Sequence, residues 1–374
     1  MNKAIKYRVY PTVEQCVLFA KTFGCCRKVY NLMLSDKVDS YNATGKFAPV
    51  TPAMYKEDYP YLKEVDSLAL ANKQMDLQAA FRNCFSRSRK KKNRFPRFKS
   101  AKHSRKTYTT NNQKGTVAII GNRIRLPKVG TVKAVIHRHP EIGWVVKSAT
   151  VSQESDGKYY ISVLFEFDVP AINHDIDVSN AIGLDYASDG LYVDHNGNKG
   201  TNHKFFRESH DRLAKEQRRL SRKTGSKKGS AKSNNYLKQL RRVNKIHRYI
   251  ANQRLDNLHK ISTEIANQYD VVCVENLNMR SMSNKGFGNG KATLDNGYGL
   301  FLNMLEYKLS DRGKYLVKVD KWFPSSQICH NCGTLHPEMK DLSVRVMDCD
   351  CGYRIGRDQN AALNILKEGL RLFE

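Results

Sequence analysis

Two cysteine pairs near the C-terminal end constrain the fold of this sequence most strongly. Cys329 and Cys332 form a C-x2-C pair, and after sixteen residues Cys349 and Cys351 form a C-x-C pair. Four thiolates at this spacing are typical of a structural zinc ribbon, because Zn2+ binds four cysteines tetrahedrally and its binding free energy stabilises the fold. A disulfide pair or buried free thiols are the alternatives, and paired spacing favours the metal in a chain of reducing, intracellular character.

A helix follows the second cysteine pair closely. Seven residues after Cys351, Asp358 begins a periodic apolar run that includes Ala361, Ala362 and Ile365. An aspartate at a helix start is most often a simple cap. Asp358 becomes a candidate functional residue because of the cysteine motif that precedes it.

The net charge points to a polyanionic partner. The 374 residues include 64 Lys and Arg against 36 Asp and Glu, which gives a net charge of +28. Binding of phosphates with release of counterions accounts for such an excess. A membrane-surface protein is less favoured, since no amphipathic helix has a Trp- or Leu-rich apolar face. No run reaches the length of a membrane span and the N-terminus lacks a signal-like apolar region, so we expect a soluble cytoplasmic protein.

The chain opens with a predicted strand. Apolar and basic or aromatic residues alternate over residues 3–10, which indicates a strand with one basic face. Lys6 and Arg8 lie on that face, and we expect both to contact nucleic acid.

Three helices are predicted next. Thr12 and Gln15 form a capping box that begins a helix reaching Phe23, and a second helix spans about 26–41. A third helix, over about 65–87, carries Leu68, Ala71, Met75 and Ala79 at helical spacing. We expect the Met and Phe residues of these helices to belong to the core.

A run of cations interleaved with two phenylalanines follows the third helix. Phe95 and Phe98 within this run suit base or sugar stacking, while the cations suit phosphate contact. The run is also compatible with an ordinary solvated surface. The expected contacts are Lys90, Lys91, Lys92, Arg94 and Arg97.

From about 107 to 169 the pattern changes to short strands. Residues 117–126 predict a hairpin around Gly121 and Asn122, and Asp156 with Gly157 predicts a second hairpin. Five or more strands without helices indicate a small barrel, to which the first strand would also belong.

The second half of the sequence predicts an α/β unit in which acids end strands. Asp185 ends the apolar run IGL, and Glu275 ends the β-branched strand VVCV. Between them, residues 207–254 form basic helices with sixteen Lys and Arg against three acids. Strand ends are where such sheets place their sites. Three carboxylates converging there with Asp358 would repel one another unless cations bridge them. Two Mg2+ ions about 4 Å apart, acting on a phosphodiester, suit this arrangement.

The order of these motifs resembles the TnpB family, the transposon-associated RNA-guided nucleases related to the type V CRISPR effectors. The resemblance is carried by IGLDYASDG, VCVENLNM and SSQICHNCG…CDCGYRIGRDQNAALNI. The stretches KYRVYPTVEQ, FGCCRKVYNLML and RFPRFKS resemble the family as well, so the match covers nearly the whole chain.

The resemblance implies an α+β multidomain fold. A wedge β-barrel would comprise 1–10 and 100–172, with a helical recognition segment at 11–99 inserted into it. An RNase H-like (RuvC) α/β nuclease domain would occupy 180–374, with the zinc ribbon at 323–355 inserted into the nuclease.

The resemblance also implies a function for specific residues. Asp185, Glu275 and Asp358 match the catalytic acids that bind two Mg2+ ions, and the four cysteines match the ligands of one Zn2+. Such a protein binds a guide RNA and cuts double-stranded target DNA beside a short flanking motif. Thr110 and Asn111 match a region of the wedge that resembles its flank-reading surface. The remaining expected nucleic-acid contacts are arginines: Arg218, Arg219, Arg222, Arg241, Arg242 and Arg357.

One residue departs from the family pattern. Where the family commonly has Asp-Arg-Asp, this chain has Gly356, Arg357 and Asp358. Loss of the first acid is the one feature that favours an alternative, a guide-RNA-dependent DNA-binding regulator without cleavage. A strand-transferring transposase is a third hypothesis, and no separate helix-turn-helix for binding DNA ends is identifiable in the sequence.

Overall fold

The computed structural model describes residues 1–86, 95–102, 104–168, 175–201, 203–227, 229–282 and 295–373. The chain divides into two compact units, Met1–Pro170 and Ala171–Glu374. None of the helices in these described ranges is both long and apolar enough to cross a membrane.

The first unit combines two long helices with seven strands. The helices are α1 (Val13–Thr44) and α2 (Ser67–Phe85). The strands are β1 (Asn2–Tyr10), β2 (Lys106–Asn111), β3 (Ala118–Ile120), β4 (Arg123–Leu126), β5 (Gly130–Val135), β6 (Val145–Gln153) and β7 (Tyr159–Glu166).

All seven strands pair in one antiparallel sheet with the order β2-β6-β7-β1-β5-β4-β3. The N-terminal strand therefore lies in the middle of a sheet whose other strands come from residues 106–166. Both predicted hairpins are confirmed, β3–β4 around Gly121 and β6–β7 around Gly157. Each glycine has a positive φ, 54° and 89°, which a turn residue without a Cβ adopts readily. Closure of the sheet into a barrel stays a prediction.

The prediction of two helices between 12 and 41 was wrong. The capping box of Thr12 and Gln15 is present, but α1 then continues for 32 residues to a left-handed Gly45. Gly24 is the only helix-weakening residue at the expected break, and one such glycine costs about 1 kcal/mol. The buried face continues through it from Phe23 to Cys26, and this burial outweighs the cost.

The expectation that Met and Phe residues face the core is confirmed for Phe81 of α2 but was wrong for Met75. Met75 is 61% exposed, and the face turned to the core contains Ala69, Leu70, Lys73, Leu77 and Phe81. A lysine in the centre of that face obscured the apolar period. Its aliphatic stem packs inside, while its ammonium forms an ion pair with Asp76 at 2.6 Å.

The second unit is built around a four-stranded sheet. Its strands are β8 (Ala181–Tyr186), β9 (Tyr192–Asp194), β10 (Val271–Glu275) and β11 (Tyr315–Val319), and a small hairpin consists of β12 (Val346–Asp348) and β13 (Arg354–Gly356). Its helices are α3 (Phe205–Ser221), α4 (Asn234–Gln268), α5 (Met279–Met282), α6 (Tyr298–Ser310) and α7 (Arg357–Phe373).

Helices cover both faces of this sheet. The order is β11-β10-β8-β9, with β8, β10 and β11 parallel. Val272 and Val274 of β10 pack with residues of α4 and α6, whereas Val271 and Cys273 pack with Ile365 of α7. A strand buried on both faces explains why VVCV is continuously apolar rather than alternating.

Candidate functional site

Strand register brings two of the three predicted acids together. In the parallel pair β8–β10, Leu184 lies opposite Val274. Asp185 and Glu275 follow these residues directly, at the carboxyl ends of the two strands. Neighbouring strands are separated by about 4.8 Å, so the two carboxylates leave the sheet side by side.

The third acid arrives on a helix that lies unusually close to β8. Asp358 is in the first turn of α7. A Cβ built on Gly183 would lie 2.2 Å from the carbonyl oxygen of Ala362 and 2.9 Å from the backbone nitrogen of Leu366. No side chain fits there, so glycine permits the close approach of the helix that carries Asp358.

Asp185, Glu275 and Asp358 line one pocket of about 460 Å3. Burial raises the pKa of Asp185 well above its ordinary value, and the charges of Glu275 and Asp358 raise it further. Burial also raises the pKa of Glu275 to about 7. Arg357 acts in the opposite direction and lowers the pKa of Asp185. Crowded carboxylates of this kind require a proton or a cation to coexist.

The pocket has a further wall that the sequence did not single out. Lys321, Trp322 and Arg345 line it together with the predicted Arg357. The Trp322 ring is 79% exposed, and the Lys321 ammonium lies 4.5 Å from its centroid. A large exposed aromatic beside two cations is the signal that points to this wall, because base stacking and phosphate contact use the same residue types.

The four cysteines come together in a separate cluster that could hold a metal ion. Their Sγ atoms all lie within 4.8 Å of one another. Cys329 and Cys351 are 3.7 Å apart, and Cys332 and Cys349 are 3.6 Å apart. Tetrahedral ligands with Zn–S bonds of about 2.3 Å would be about 3.8 Å apart, so the donor set fits this ion. None of the nine described cysteines forms a disulfide in this structure.

Two asparagines of α7 attach this cluster to the helix that carries Asp358. Asn364 is buried and donates to the carbonyl oxygens of Ser325 and Ile328 at 2.8 and 2.7 Å. Asn360 donates to Ile328 and accepts from the backbone N–H of His330. Their i, i+4 spacing in NAALN, on a helix face otherwise apolar, is the sequence signal for this role.

The predicted contacts on β1 lie on an aromatic, basic surface of the first unit. Lys6 forms an ion pair with Glu154 at 2.8 Å and lies 4.7 Å from the Tyr160 ring centroid. Arg8 lies 5.0 Å from the ring of Tyr10 and 5.2 Å from that of Tyr160, and it donates to a backbone carbonyl.

Thr110 and Asn111 occupy different environments on β2. Thr110 is fully buried, and its hydroxyl donates to Asp66, which also caps the N-terminus of α2. Asn111 is half-buried, and its Oδ1 lies 3.5 Å from Nδ2 of Asn72. Contact with DNA stays a prediction for both residues. For Thr110 it requires the hydrogen bond between its hydroxyl and the Asp66 carboxylate to break.

The predicted arginines of the basic helices are all exposed. Helix α3 packs against α4 through apolar contacts of Leu213 with Val243, Ile246 and Ile250, and Gln239 of α4 donates to Glu216 of α3. The cations remain on the solvent side. The exposed residues are Arg218, Arg219, Arg222, Arg241 and Arg242, and Arg97 of the first unit is exposed as well. Lys90, Lys91, Lys92 and Arg94 lie outside the described residues. For all of these, nucleic-acid binding stays a prediction.

Comparison with known proteins decides the family. The chain is 35% identical to a Streptomyces pristinaespiralis protein named as a candidate RNA-guided DNA endonuclease, covering 99% of this chain and 90% of that protein. This chain belongs to the TnpB family. The Escherichia coli member InsQ, with a name of the same kind, is 30% identical over 98% of this chain and 92% of its own length.

Three family models match separate parts of this TnpB-family chain. Residues 298–365 match the Cas12f1-like TNB domain, 164–285 a family described as a probable transposase, and 1–46 a helix-turn-helix domain. In the last range the structure has β1 and the single helix α1. A solved Cas12f1–guide RNA–target DNA complex is 14% identical, with a TM-score of 0.54 and 98% coverage of both chains. The likeness shows an α+β fold of the Cas12f1 kind.

Proposed function

We propose that this TnpB-family chain is a transposon-encoded, RNA-guided endonuclease that hydrolyses target DNA at the pocket of Asp185, Glu275 and Asp358. The observation that carries the proposal is the convergence of these three acids from two adjacent strand ends and one helix start. The net charge of +28 supplies the affinity for nucleic acid. In this scheme base pairing with a guide RNA selects the target sequence, and the protein holds the duplex by its backbone.

The carboxylates that line the pocket are oxygen donors of the kind that divalent cations bind. Burial and the charges of Glu275 and Asp358 raise the pKa of Asp185, and the backbone N–H of Tyr186 and the charge of Arg357 offset this only in part, so bound cations would replace its proton. We assign two Mg2+ ions to Asp185, Glu275 and Asp358. Mg2+ prefers oxygen donors, and a site with few carboxylates leaves coordination positions for phosphate and water. When bound, the pair stabilises the attacking and leaving oxygens of phosphodiester hydrolysis.

The chain's own residues then have distinct tasks. Asp185 and Glu275 would present their carboxylate oxygens from the ends of β8 and β10, and Asp358 would present its own from the first turn of α7. Arg357 and Arg345 would neutralise a phosphate entering the pocket, and Trp322 would stack on an unpaired base. These contacts place the scissile bond without taking part in bond breaking.

We further assign one structural Zn2+ to Cys329, Cys332, Cys349 and Cys351, on the Sγ separations. The ribbon would occupy 323–355, within an RNase H-like nuclease domain spanning 180–374. In the first unit, 1–10 and 100–172 would form the wedge and 11–99 the recognition segment. The single sheet that unites β1 with β2–β7 supports that division.

A cleavage assay tests the proposal. The protein is purified with RNA from its own locus and given matched double-stranded DNA and Mg2+. Cutting should require the RNA, should be lost in Asp185→Ala, and should persist in the control Asp256→Ala, which removes an exposed acid of α4. RNA-dependent binding without cutting would support the regulator, and strand transfer without RNA would support the transposase.

A further inference from the structure

A second cavity, entirely within the first unit, is lined by ten residues of which five are cations. It has a volume of about 260 Å3 and lies between α1, α2 and the segment that leads into β2. Its basic lining residues are Arg27, Lys73, Lys99, Arg105 and Lys106. Asp76 is the one acid among the described lining residues.

Two of these lysines are held in place by the fold. Lys73 is only 8% exposed and forms an ion pair with Asp76 at 2.6 Å. The backbone of Lys99 is bound at both its N–H and its carbonyl by the side chain of Asn31, at 2.8 and 2.9 Å. The Lys99 ammonium lies 3.6 Å from the centroid of the Tyr30 ring. Lys73 and Lys99 are therefore preorganised in the wall of the cavity.

The cavity carries more positive charge than its surroundings neutralise. Burial and the nearby charge of Lys73 lower the pKa of Lys99, and Asp76 opposes the shift only in part. Lys106 donates to the neutral Gln153 at 3.0 Å. Within the described part of the chain, neither Arg27 nor Arg105 forms an ion pair. Lys73 is buried, Arg27 and Lys99 are half-buried, and Arg105 and Lys106 are exposed at the rim. Like charges around one concave site repel one another unless an anion compensates them, so the cavity favours an anionic ligand.

We infer that this cavity binds a backbone phosphate of the nucleic acid held by the protein. Lys and Arg at one concave site are the donors that phosphate oxygens prefer. Pockets for small molecules usually measure about 300–1,000 Å3, so the cavity suits a phosphate with part of its sugar better than a free nucleotide. The inference rests on the proposed function for the source of the phosphate, a guide RNA or a target DNA, and concerns a site separate from the three acids.

The salt dependence of binding tests the inference. The double variant Lys99→Gln/Arg105→Gln removes two lining cations, and Lys46→Gln/Lys63→Gln removes two exposed lysines of the same unit for which the structure gives no ion pair. Affinity for guide RNA, and of the protein–RNA complex for duplex DNA, is measured between about 50 and 200 mM salt. The slope of log K against log salt should decrease in the cavity variant alone. The expected decrease is about 0.7 if the phosphate belongs to single-stranded RNA and about 0.9 if it belongs to duplex DNA.

Other outcomes would overturn the inference. Equal slope changes in both variants would mean diffuse attraction, and an unchanged slope in the cavity variant would mean that no phosphate binds there. Stabilisation by inorganic phosphate without any slope change would make the cavity a site for small anions only. Failure of the wild-type protein to cut DNA would refute the proposed function, while the slope comparison would still decide on the cavity.

Discussion

The close approach of α7 to β8 gives the most demanding prediction. Gly183→Ala places a Cβ that would lie 2.2 Å from the carbonyl oxygen of Ala362 and 2.8 Å from the Cβ of Leu366. Ordinary contact begins near 3.4 Å, so the helix must retreat by about 1.2 Å. Backbone atoms cause the clash, and no change of rotamer relieves it.

The expected magnitude follows from that displacement. Overpacking of this kind costs about 1–3 kcal/mol, which for a unit of this size lowers the melting temperature by about 2–12 °C. Asp358 lies on the same helix, and a misplacement of about 1 Å at a catalytic centre reduces rates by about 100-fold. Guided DNA cleavage should therefore decrease by that order while RNA binding is retained.

Single-turnover cleavage and thermal unfolding measure the two effects. Gly356→Ala is the matched control, because its added Cβ meets no atom within 4 Å although it precedes Asp358 by only two residues. Wild-type cleavage by Gly183→Ala, with an unchanged melting temperature, would refute the argument that this glycine positions the third acid.

Three further predictions concern the ribbon and its surroundings. Cys349→Ser should lower the metal content measured by mass spectrometry to below one zinc per chain, whereas Cys16→Ser should not; full retention would remove the zinc assignment. Gly356→Asp restores a carboxylate near Asp358 and should lower the Mg2+ concentration for half-maximal cleavage about 1.5- to 5-fold, an effect that Gly356→Asn should not reproduce. Asn364→Leu leaves the carbonyls of Ser325 and Ile328 without their donor, so it should destabilise the second unit by about 1–3 kcal/mol and speed metal loss to a chelator; an Asn252→Leu control should match the wild type.

The local patterns predicted most elements but not how elements approach one another. Strand ends at Asp185 and Glu275 followed from short apolar runs, because parallel strands align such ends automatically. The position of Asp358 beside them depends on the close approach of α7 to Gly183. A single glycine contact of this kind does not appear in the hydrophobic periodicity of the sequence. The prediction of a helix break after Phe23 was wrong because burial of the surrounding residues outweighs the propensity cost of one glycine. The prediction that Met75 faces the core was wrong because Lys73 interrupts the apolar stripe that does face it. Paired cysteines gave the cluster directly, since chelation depends on short spacings.

The hydrogen bonds between the side-chain amides of Asn360 and Asn364 and the first cysteine loop have a consequence for the cell. Five hydrogen bonds join the loop of Cys329 and Cys332 to the helix that carries Asp358. With the proposed Zn2+ bound to these cysteines, oxidants or zinc starvation would weaken the support of α7 and so of Asp358. DNA cleavage by the protein would then depend on the redox and metal state of its host.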